Sequence, residues 1–380
     1  MRIAYILTSL GIGGAEKQVL ALAERMAARG HAITLLVLRE PQVNQWFTRL
    51  PVHYLHIRKS PGSVFGGLLR ARRVLREFQP DLVHSHTFPA NMAARMLRLA
   101  GGAPRVVSTI HNVYEGGTLR MALYRITDTL AVHTTAVSTA AAERFVKLRA
   151  VPAHKCSVLT NAIDLTEFKP STERRLFMRG LLHNSEDFIW LAIGRIAPAK
   201  DYPNLLRAFS RVLDLEPYAR LWICGELPCG LSPEGLFERS SVSSAVRERC
   251  IFFGVRNDVA DLLDAADGFV LSSAWEGMPL VVGEAMAMEK PIVATDVGGV
   301  RELLGNCGSI VLAGDSTALA DSMLVTMRLK ASSLHDLGKA ARERVSICFG
   351  WERREHDWEQ LYARLLADQV LPEVKQSVHG

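Results

Sequence analysis

Two glutamates lie eight residues apart in an apolar stretch of the sequence, SAWEGMPLVVGEAMAM. Glu276 precedes a predicted helix, and Glu284 lies inside that helix, about one and a half turns from its start. A carboxylate among apolar side chains costs several kcal/mol unless a partner satisfies it. Because a carboxylate accepts hydrogen bonds from two hydroxyls well, the pair favours a vicinal diol of a sugar or a ribose. The alternative is that Glu284 points into solvent.

Backbone amides beside the first glutamate add a second binding element. Pro279 is well placed as the first helical residue, so the helix is expected to begin there. The amides of Gly277, Met278 and Leu280 would then lack partners within the helix and could hold an anion or sugar oxygens.

Two cations occupy the segment LAIGRIAPAKDYP. Arg195 lies at the tip of a predicted strand, and Lys200 follows five residues later, before a helix. An arginine can bind two phosphate oxygens at once and a lysine adds a point charge, so the pair suits a diphosphate. A solvated surface pair is the alternative. Together with the glutamates, these cations predict a ligand composed of a nucleoside, a diphosphate and a sugar.

A glycine-rich turn, TSLGIGGAEKQV, follows the first predicted strand. Gly11, Gly13 and Gly14 open a helix there, where the backbone can approach a ligand closely and the helix N-terminus favours negative charge. The third glycine comes too early for the GxGxxG pattern of dinucleotide-binding proteins, which disfavours an NAD-dependent dehydrogenase. A tight turn without a ligand is the alternative.

Three histidines are expected at strand ends. His111, in VSTIHNVYEGG, closes a buried strand and is placed to donate or accept a hydrogen bond at its tip. His84 and His86, in DLVHSHTF, have a similar position, and one of these two is expected to point away from the site. A structural role is the alternative for each of them.

Strand-like and helix-like segments alternate in two consecutive sets, separated by a break at 161–175. Continuous apolar strands with helices between them indicate parallel sheets covered on both faces. The prediction is an α/β fold of two doubly wound, Rossmann-like domains facing a central cleft. Ligands of such sheets bind beyond the carboxyl ends of the strands, where the candidate residues are predicted to lie.

The composition agrees with this architecture. The 380 residues are too many for one ordinary core, and 48% hydrophobic with 22% charged residues is a globular balance. The net charge of +6 fits an anionic ligand or an anionic membrane surface, and no nucleic-acid partner is expected. Six cysteines without a CxxC pair predict buried free thiols in a reducing cytosol, and no apolar run is long enough to span a membrane.

Five segments together resemble the retaining GT-B glycosyltransferases of family GT4, and the resemblance covers nearly the whole chain. They are EGMPLVVGEAMAMEKPIVATDVGG with its E-x7-E signature, GRIAPAKDY, LTSLGIGGAEKQV, VLTNAIDLTEFKP and FGWERREHDWEQLY. The resemblance implies a GT-B fold. It implies an acceptor domain at 1–165, a nucleotide-sugar donor domain at 166–350, and a helix at 351–370 that returns to the first domain.

The resemblance also implies roles for the residues of the second domain. Glu276, with the amides of Gly277 to Leu280, would hold the hydroxyls and distal phosphate of the donor sugar, and Glu284 would hold the ribose. Arg195 and Lys200 would neutralise the departing diphosphate.

Further roles implied by the resemblance fall outside that group. His111 would contact the donor sugar near its reacting face, and Gly13 and Gly14 would let the first domain close on the phosphates. Val255 and Arg256 would lie near the nucleobase.

Two segments depart from the family pattern. Ala162 replaces a usual glycine in the Asn-Gly-Ile-Asp segment, and Gly225-Glu226-Leu227-Pro228 replaces Gly-Asp-Gly-Pro. Both departures leave the loop geometry open.

The implied reaction is transfer of a hexosyl unit from an NDP-sugar with retention of configuration, with a UDP-sugar favoured over a GDP-sugar. No Asp-x-Asp motif occurs, so neither a metal nor another cofactor is implied, and cations and the helix N-terminus would stabilise the diphosphate instead. Two alternatives are a non-catalytic nucleotide-sugar-binding protein and a sugar-nucleotide epimerase of the same architecture.

The acceptor is expected to be a glycan or a lipid-linked glycan of surface polysaccharide biosynthesis. A basic amphipathic segment, GLLRARRVLREFQP, suits peripheral contact with an anionic membrane, which would place the protein at the inner face of the cytoplasmic membrane. An ordinary sheet-covering helix is the alternative. The segment combines Arg70, Arg72, Arg73 and Arg76 with Leu68, Leu69, Val74, Leu75 and Phe78.

Overall fold

A computed structural model of the chain describes residues 1–40, 46–181 and 186–367, and contains two compact α/β units. The first unit comprises Met1–Thr160 and the segment that begins at Glu352, and the second comprises Asn161–Trp351. The C-terminal helix is predicted to end at residue 370, and the last three positions of that prediction lie outside the described residues.

The first unit is built on a seven-stranded parallel sheet with the order β3-β2-β1-β4-β5-β6-β7. Except for the short β3 and β7, its strands are buried along nearly their whole length, because helices cover both faces of a parallel sheet. The strands are β1 (Arg2–Leu7), β2 (Ala32–Val37), β3 (Val52–Tyr54), β4 (Leu82–His86), β5 (Val106–Ile110), β6 (His133–Ala136) and β7 (Cys156–Val158). The helices are α1 (Gly14–Ala28), α2 (Pro61–Phe78), α3 (Phe88–Leu99), α4 (Thr118–Ile126), α5 (Thr139–Lys147) and, at the end of the chain, α15 (Trp351–Ala367).

Helices α2 to α5 all cover the same face of this sheet. Val106 packs with α2 and α3, whereas Ile110 packs with α4 and α5. These two residues of β5 are four positions apart, so their side chains point to the same side. Tyr5 and His84 point to the opposite side, where both contact Tyr362 of α15.

Helix α15 is fastened to the first unit by polar contacts as well as by packing. The hydroxyl groups of Tyr362 and Tyr5 are 3.2 Å apart, and that of Tyr362 lies 2.7 Å from Nδ1 of His84. Glu355 pairs with Arg25 at 2.6 Å. The C-terminal helix is therefore part of the first unit, although it follows the second unit in the sequence.

The second unit is built on a six-stranded parallel sheet with the order β10-β9-β8-β11-β12-β13. Its strands are β8 (Phe188–Ile193), β9 (Ala219–Cys224), β10 (Cys250–Gly254), β11 (Gly268–Leu271), β12 (Ile292–Thr295) and β13 (Ser309–Val311). Its helices are α6 (Thr172–Leu181), α7 (Tyr202–Leu215), α8 (Pro233–Ser240), α9 (Ser244–Arg249), α10 (Val259–Ala265), α11 (Leu280–Ala287), α12 (Val300–Leu304), α13 (Ser316–Met327) and α14 (Ala331–Phe349). The predicted fold class, two doubly wound parallel-sheet domains, is confirmed.

Each sheet has one point at which the strand order reverses. In the first unit this point lies between β1 and β4, and in the second between β8 and β11. The loops beyond these strands diverge and leave room for a ligand. Both the predicted glycine turn and the predicted Arg195–Lys200 segment follow a strand at such a point.

The basic segment at 68–78 forms the C-terminal part of α2 and lies against the sheet. Leu75 is buried in the core, and Leu68, Val74 and Phe78 pack partly buried against the same cluster. Of the five apolar residues of this segment, Leu69 alone is exposed. Its apolar side therefore serves mainly as a sheet-covering surface. Within the described ranges, no helix has both the length and the apolar character needed to cross a bilayer.

Candidate active site

The loop after β8 is shaped by two glycines and carries the first cation. Gly194 has a φ of 152°, and a Cβ atom added to Gly225 would lie 2.0 Å from the Gly194 oxygen. The Tyr202 hydroxyl donates to that same oxygen at 2.7 Å. This close packing holds the backbone just before Arg195, whose side chain is exposed.

Lys200 and Glu276 meet at the switch point of the second sheet. The Lys200 Nζ donates to Oε1 of Glu276 at 2.5 Å, and the Ser273 hydroxyl donates to the same oxygen at 2.7 Å. The two loops meet because β8 and β11 are neighbours in the sheet. The structure thus brings together a cation and a carboxylate that the sequence assigned to separate parts of one ligand.

The loop from Glu276 to Pro279 is held through its carbonyl groups. The Gly299 amide donates to Gly277 O at 2.7 Å, and the Asn161 side chain donates to Met278 O at 3.0 Å. Gly298, with a φ of 53°, passes so close that a Cβ atom there would lie 2.3 Å from the Glu276 oxygen. These contacts involve the carbonyl groups of the loop and not its backbone N–H groups.

The amides of Gly277, Met278 and Leu280 make no hydrogen bond within the part of the chain that the structure describes. Helix α11 begins at Leu280, with Pro279 as its N-cap, so the predicted start at Pro279 is wrong by one residue. The helix begins one residue later than predicted because Pro279 has a ψ of 112°, which is an extended and not a helical conformation. The first N–H group of α11, that of Leu280, has no partner among the described residues and lies within a few residues of Glu276.

Both glutamates are buried, at 8% exposure for Glu276 and 6% for Glu284. The alternative that Glu284 points into bulk solvent is therefore wrong. Helix α11 lies close to the segment after Asn161, since a Cβ atom on Gly283 would come within 2.4 Å of Ile163. Gly283 thus allows the helix that carries Glu284 to pack tightly.

The two residues expected near a nucleobase follow β10. Val255 is 38% exposed. Arg256 is held by Asp258, with contacts of 2.8 Å from Nε and 2.5 Å from Nη2. The guanidinium is thus oriented by a carboxylate from its own loop.

At both departures from the family pattern the backbone has no positive φ at the residue that replaces glycine, Ala162 or Leu227. Ala162 is buried, and it is absent from the residues with positive φ, so its backbone does not require glycine. Glu226 accepts a hydrogen bond from the Ile196 amide through its carbonyl at 2.8 Å.

In the first unit, His111 is held by a second histidine. Nδ1 of His86 lies 3.0 Å from Nε2 of His111. Burial lowers the pKa of both imidazoles, to about 4 for His111, so both are neutral near pH 7. Nε2 of His86 is buried and has no hydrogen-bond partner among the described residues. A buried N–H without a partner is rarer than a buried acceptor without one. We therefore assign the proton of His86 to Nδ1, from which it donates to His111.

This assignment leaves His111 with its proton on Nδ1, available to donate to a hydroxyl or phosphate oxygen. The expectation that one of His84 and His86 points away is wrong. Their ring centroids are 4.0 Å apart, because residues two positions apart in a strand share a face.

Glu115 is a buried acid next to His111 that the sequence did not single out. Its carboxylate accepts from the His111 amide at 3.1 Å and from the Tyr124 hydroxyl at 2.7 Å. Burial raises its pKa to about 7. Its position four residues after His111 was the only sequence signal, and it is a weak one.

The glycine turn leads directly into α1, with Gly13 as the N-cap. The φ of Gly13 is −149°, which any residue can adopt. The Ser9 hydroxyl donates to Glu16 at 3.1 Å, and Oε2 of Glu16 would lie 2.5 Å from a Cβ atom on Gly13. A carboxylate of the chain thus lies beside the turn where the sequence predicts phosphate, and Gly14 is exposed beside it.

Two family models match the chain in succession. One, described as Glycosyltransferase Family 4, matches residues 12–167, and the other, Glycosyl transferases group 1, matches residues 187–328. The chain is a GT4-like glycosyltransferase.

Two curated relatives have 25% identity to this glycosyltransferase. One is the UDP-Gal:alpha-D-GlcNAc-diphosphoundecaprenol alpha-1,3-galactosyltransferase of Escherichia coli, with 79% of this chain and 80% of the relative aligned. The other is the N-acetyl-alpha-D-glucosaminyl L-malate synthase of Bacillus anthracis, with 94% and 95% aligned.

Solved glycosyltransferase structures share the fold. Anabaena HepE in complex with UDP and glucose has a TM-score of 0.83 at 20% identity, covering 96% of this chain and 100% of HepE. Sucrose-phosphate synthase from Thermosynechococcus elongatus has a TM-score of 0.82 at 20% identity, covering 97% and 100%. At this identity the likeness establishes the GT-B architecture of both units.

Proposed function

We propose that this glycosyltransferase moves a hexosyl unit from an NDP-sugar, with UDP-sugars favoured, to a glycan or lipid-linked glycan, with retention of configuration. The observation that carries the proposal is the partly buried contact between Lys200 and Glu276, beside the amides of Gly277 and Met278 that have no partner among the described residues. Such a site offers acceptors for sugar hydroxyls and donors for phosphate oxygens within a few residues.

Each charged group has a distinct task in this proposal. Glu276 accepts hydroxyl hydrogens of the donor sugar, and Glu284 accepts those of the ribose. Lys200, the exposed Arg195 and the N-terminal end of α11 stabilise the negative charge that develops on the diphosphate. Because these groups already supply positive charge, we expect the reaction to proceed without an added metal ion.

The proposed chemical step is same-face substitution. The bond between the anomeric carbon and the diphosphate oxygen breaks, and a bond from the acceptor oxygen to that carbon forms on the same face. The acceptor hydroxyl gives its proton to the departing phosphate oxygen. His111, neutral and protonated on Nδ1, donates a hydrogen bond to the sugar without taking part in proton transfer.

The donor and acceptor classes are supported by the names of related proteins. Structures of HepE contain UDP or UDP-glucose. The name of the Escherichia coli relative includes a diphosphoundecaprenol acceptor. We infer a lipid-linked acceptor in surface polysaccharide biosynthesis, with the protein at the inner face of the cytoplasmic membrane.

The donor assignment is tested by thermal unfolding of the purified chain with UDP-glucose, UDP-galactose and GDP-mannose. We expect a UDP-sugar to raise the melting temperature, and Glu284→Gln to remove most of that increase. The matched control is Glu248→Gln on the exposed surface of α9, which should keep the full increase. An equal increase in both variants would contradict the ribose role of Glu284.

Catalysis is tested separately by the release of UDP with and without an undecaprenyl-diphosphate-linked sugar. Acceptor-dependent release supports transfer. Stabilisation by a UDP-sugar without release under either condition would favour the non-catalytic binding protein. An anomeric product analysis by NMR then decides between retention and inversion.

A further inference from the structure

The helices on one face of the first sheet concentrate the positive charge of the molecule. Helices α2, α3, α4 and α5 contain ten Lys and Arg residues and two Glu residues, a net charge of +8, whereas the whole chain has +6. Helices α1 and α15, on the other face, contain five basic and six acidic residues. We call α2 to α5 the basic helix layer.

The basic helix layer also exposes large apolar side chains. Those in its helices are Val64, Phe65, Leu69, Met96, Leu99, Leu119, Leu123 and Ile126. In the described residues of α1 and α15, no large apolar side chain is exposed. Scattered exposed apolar residues are ordinary, but their concentration in the helices of one face is not.

Helix α4 has the most exposed apolar stripe in this layer. Leu119, Leu123 and Ile126 follow the spacing of one helix face, and Leu119 and Ile126 are each 74% exposed. Met121 and Tyr124, on the inner side, pack in the core. The helix contains two arginines and no acidic residue.

Neighbouring helices continue this surface on both sides of α4. Arg125 of α4 donates through Nε and Nη2 to the carbonyl groups of Arg149 and Leu148, just beyond α5. On the other side, Arg95 of α3 donates to Tyr124 O at 2.9 Å. The helices are therefore locked together, and their outer sides form one layer.

We propose that the outer face of the basic helix layer, centred on α4, docks on an anionic lipid bilayer. The apolar stripe enters the interfacial region of the lipid, and the surrounding arginines and lysines face the anionic headgroups. This inference deepens the proposed function, since it rests on a lipid-linked acceptor. The surface includes the arginines of the membrane contact predicted at 68–78, but it is centred on α4, because the apolar residues of 68–78 are mostly used in the core.

The docking surface is tested by sedimentation of the whole protein with vesicles at low salt. We expect binding to vesicles that contain phosphatidylglycerol, weak binding to pure phosphatidylcholine vesicles, and a decline in binding as salt increases. The double variant Leu119→Ser/Ile126→Ser should weaken binding at least tenfold. Removal of two cations in Arg144→Gln/Lys147→Gln should weaken it by about fivefold per charge.

The matched control is Val325→Ser/Ile347→Ser, which changes two similarly exposed apolar residues of the second unit and should bind vesicles like the wild type. All variants should keep the stabilisation by UDP-sugars, which separates failure of this inference from failure of the proposed donor site. Absence of binding to either vesicle, or equal binding by the α4 double variant and its control, would overturn the proposal.

Discussion

The carboxyl edge of the second sheet presents charge, whereas the corresponding edge of the first presents neutral rings. In the second unit, Lys200 and Glu276 form a contact of 2.5 Å at the switch point. In the first, the imidazoles of His86 and His111 lie 3.0 Å apart, and burial keeps both neutral. The charged edge suits recognition of a diphosphate and a polyol. The two neutral imidazoles can orient a sugar through hydrogen bonds to its hydroxyls without adding charge to the site.

The largest expected effect comes from breaking the charged pair. Lys200→Met leaves the buried Glu276 carboxylate with Ser273 as its remaining side-chain donor among the described residues, and removes a cation from the proposed diphosphate site. We expect kcat/KM for sugar transfer to fall by about 10³-fold or more. The measurement is steady-state transfer with a UDP-sugar. Lys339→Met, an exposed lysine of α14, is the control and should be close to wild type.

A backbone change beneath the same loop tests how firmly the loop is held. Gly298→Ala would place an alanine at a left-handed φ of 53°. Its Cβ atom would lie 2.3 Å from the backbone carbonyl oxygen of Glu276, so the loop must shift. We expect a loss of about 2–4 kcal/mol in the stability of the second unit, measured by chemical denaturation. Gly314→Ala also has a positive φ of 79° but meets no atom within 4 Å, and should lose only about 1 kcal/mol. Equal losses would show that the close approach to Glu276 has no cost.

The burial of Glu115, beside His111 in the first unit, is tested by the pH dependence of stability. The folded pKa of Glu115 is raised to about 7, so the folded state binds more protons than the unfolded state between about pH 4.5 and 7. Stability contributed by this group therefore falls as pH rises through that window. The difference in the free energy of unfolding between Glu115→Gln and the wild type should therefore shift in favour of the variant by on the order of 1–3 kcal/mol as pH rises from about 5 to 8. Thermal unfolding across this range measures it, and a pH-independent difference would contradict the raised pKa.

The smallest effect concerns the orientation of His111. His86→Leu removes the Nδ1–H donor that we assign to its contact with His111, whereas His86→Asn can keep an N–H at a similar position. We expect His86→Leu to lower kcat about tenfold with little change in KM, and His86→Asn to recover most of it. Equal losses in both variants would mean that His86 serves packing alone.

The charged site was the more predictable part of the molecule from sequence. Glu284 could be singled out from the sequence because a charge inside an apolar helix is costly, and Arg195 because it directly follows a predicted strand. The strand-helix alternation likewise predicted both parallel sheets.

Contacts between distant segments could not be predicted in the same way. Lys200 meets Glu276 because β8 pairs with β11, and strand order is a property of the whole sheet. Asn161, which holds the Met278 carbonyl, is likewise remote in sequence from the loop that it supports. The acid Glu115 depends on burial by Tyr124, and nothing in its local sequence indicates that burial.

The central claim is that the contact between Lys200 and Glu276 marks the site of the donor diphosphate. Calorimetric titration of UDP into the wild type, Lys200→Gln and the Lys339→Gln control tests it most directly. We predict that Lys200→Gln weakens the Kd by about 10–100-fold, as expected for loss of a charge-assisted contact, while the control binds like the wild type. A Kd for UDP that is the same in all three proteins would contradict it.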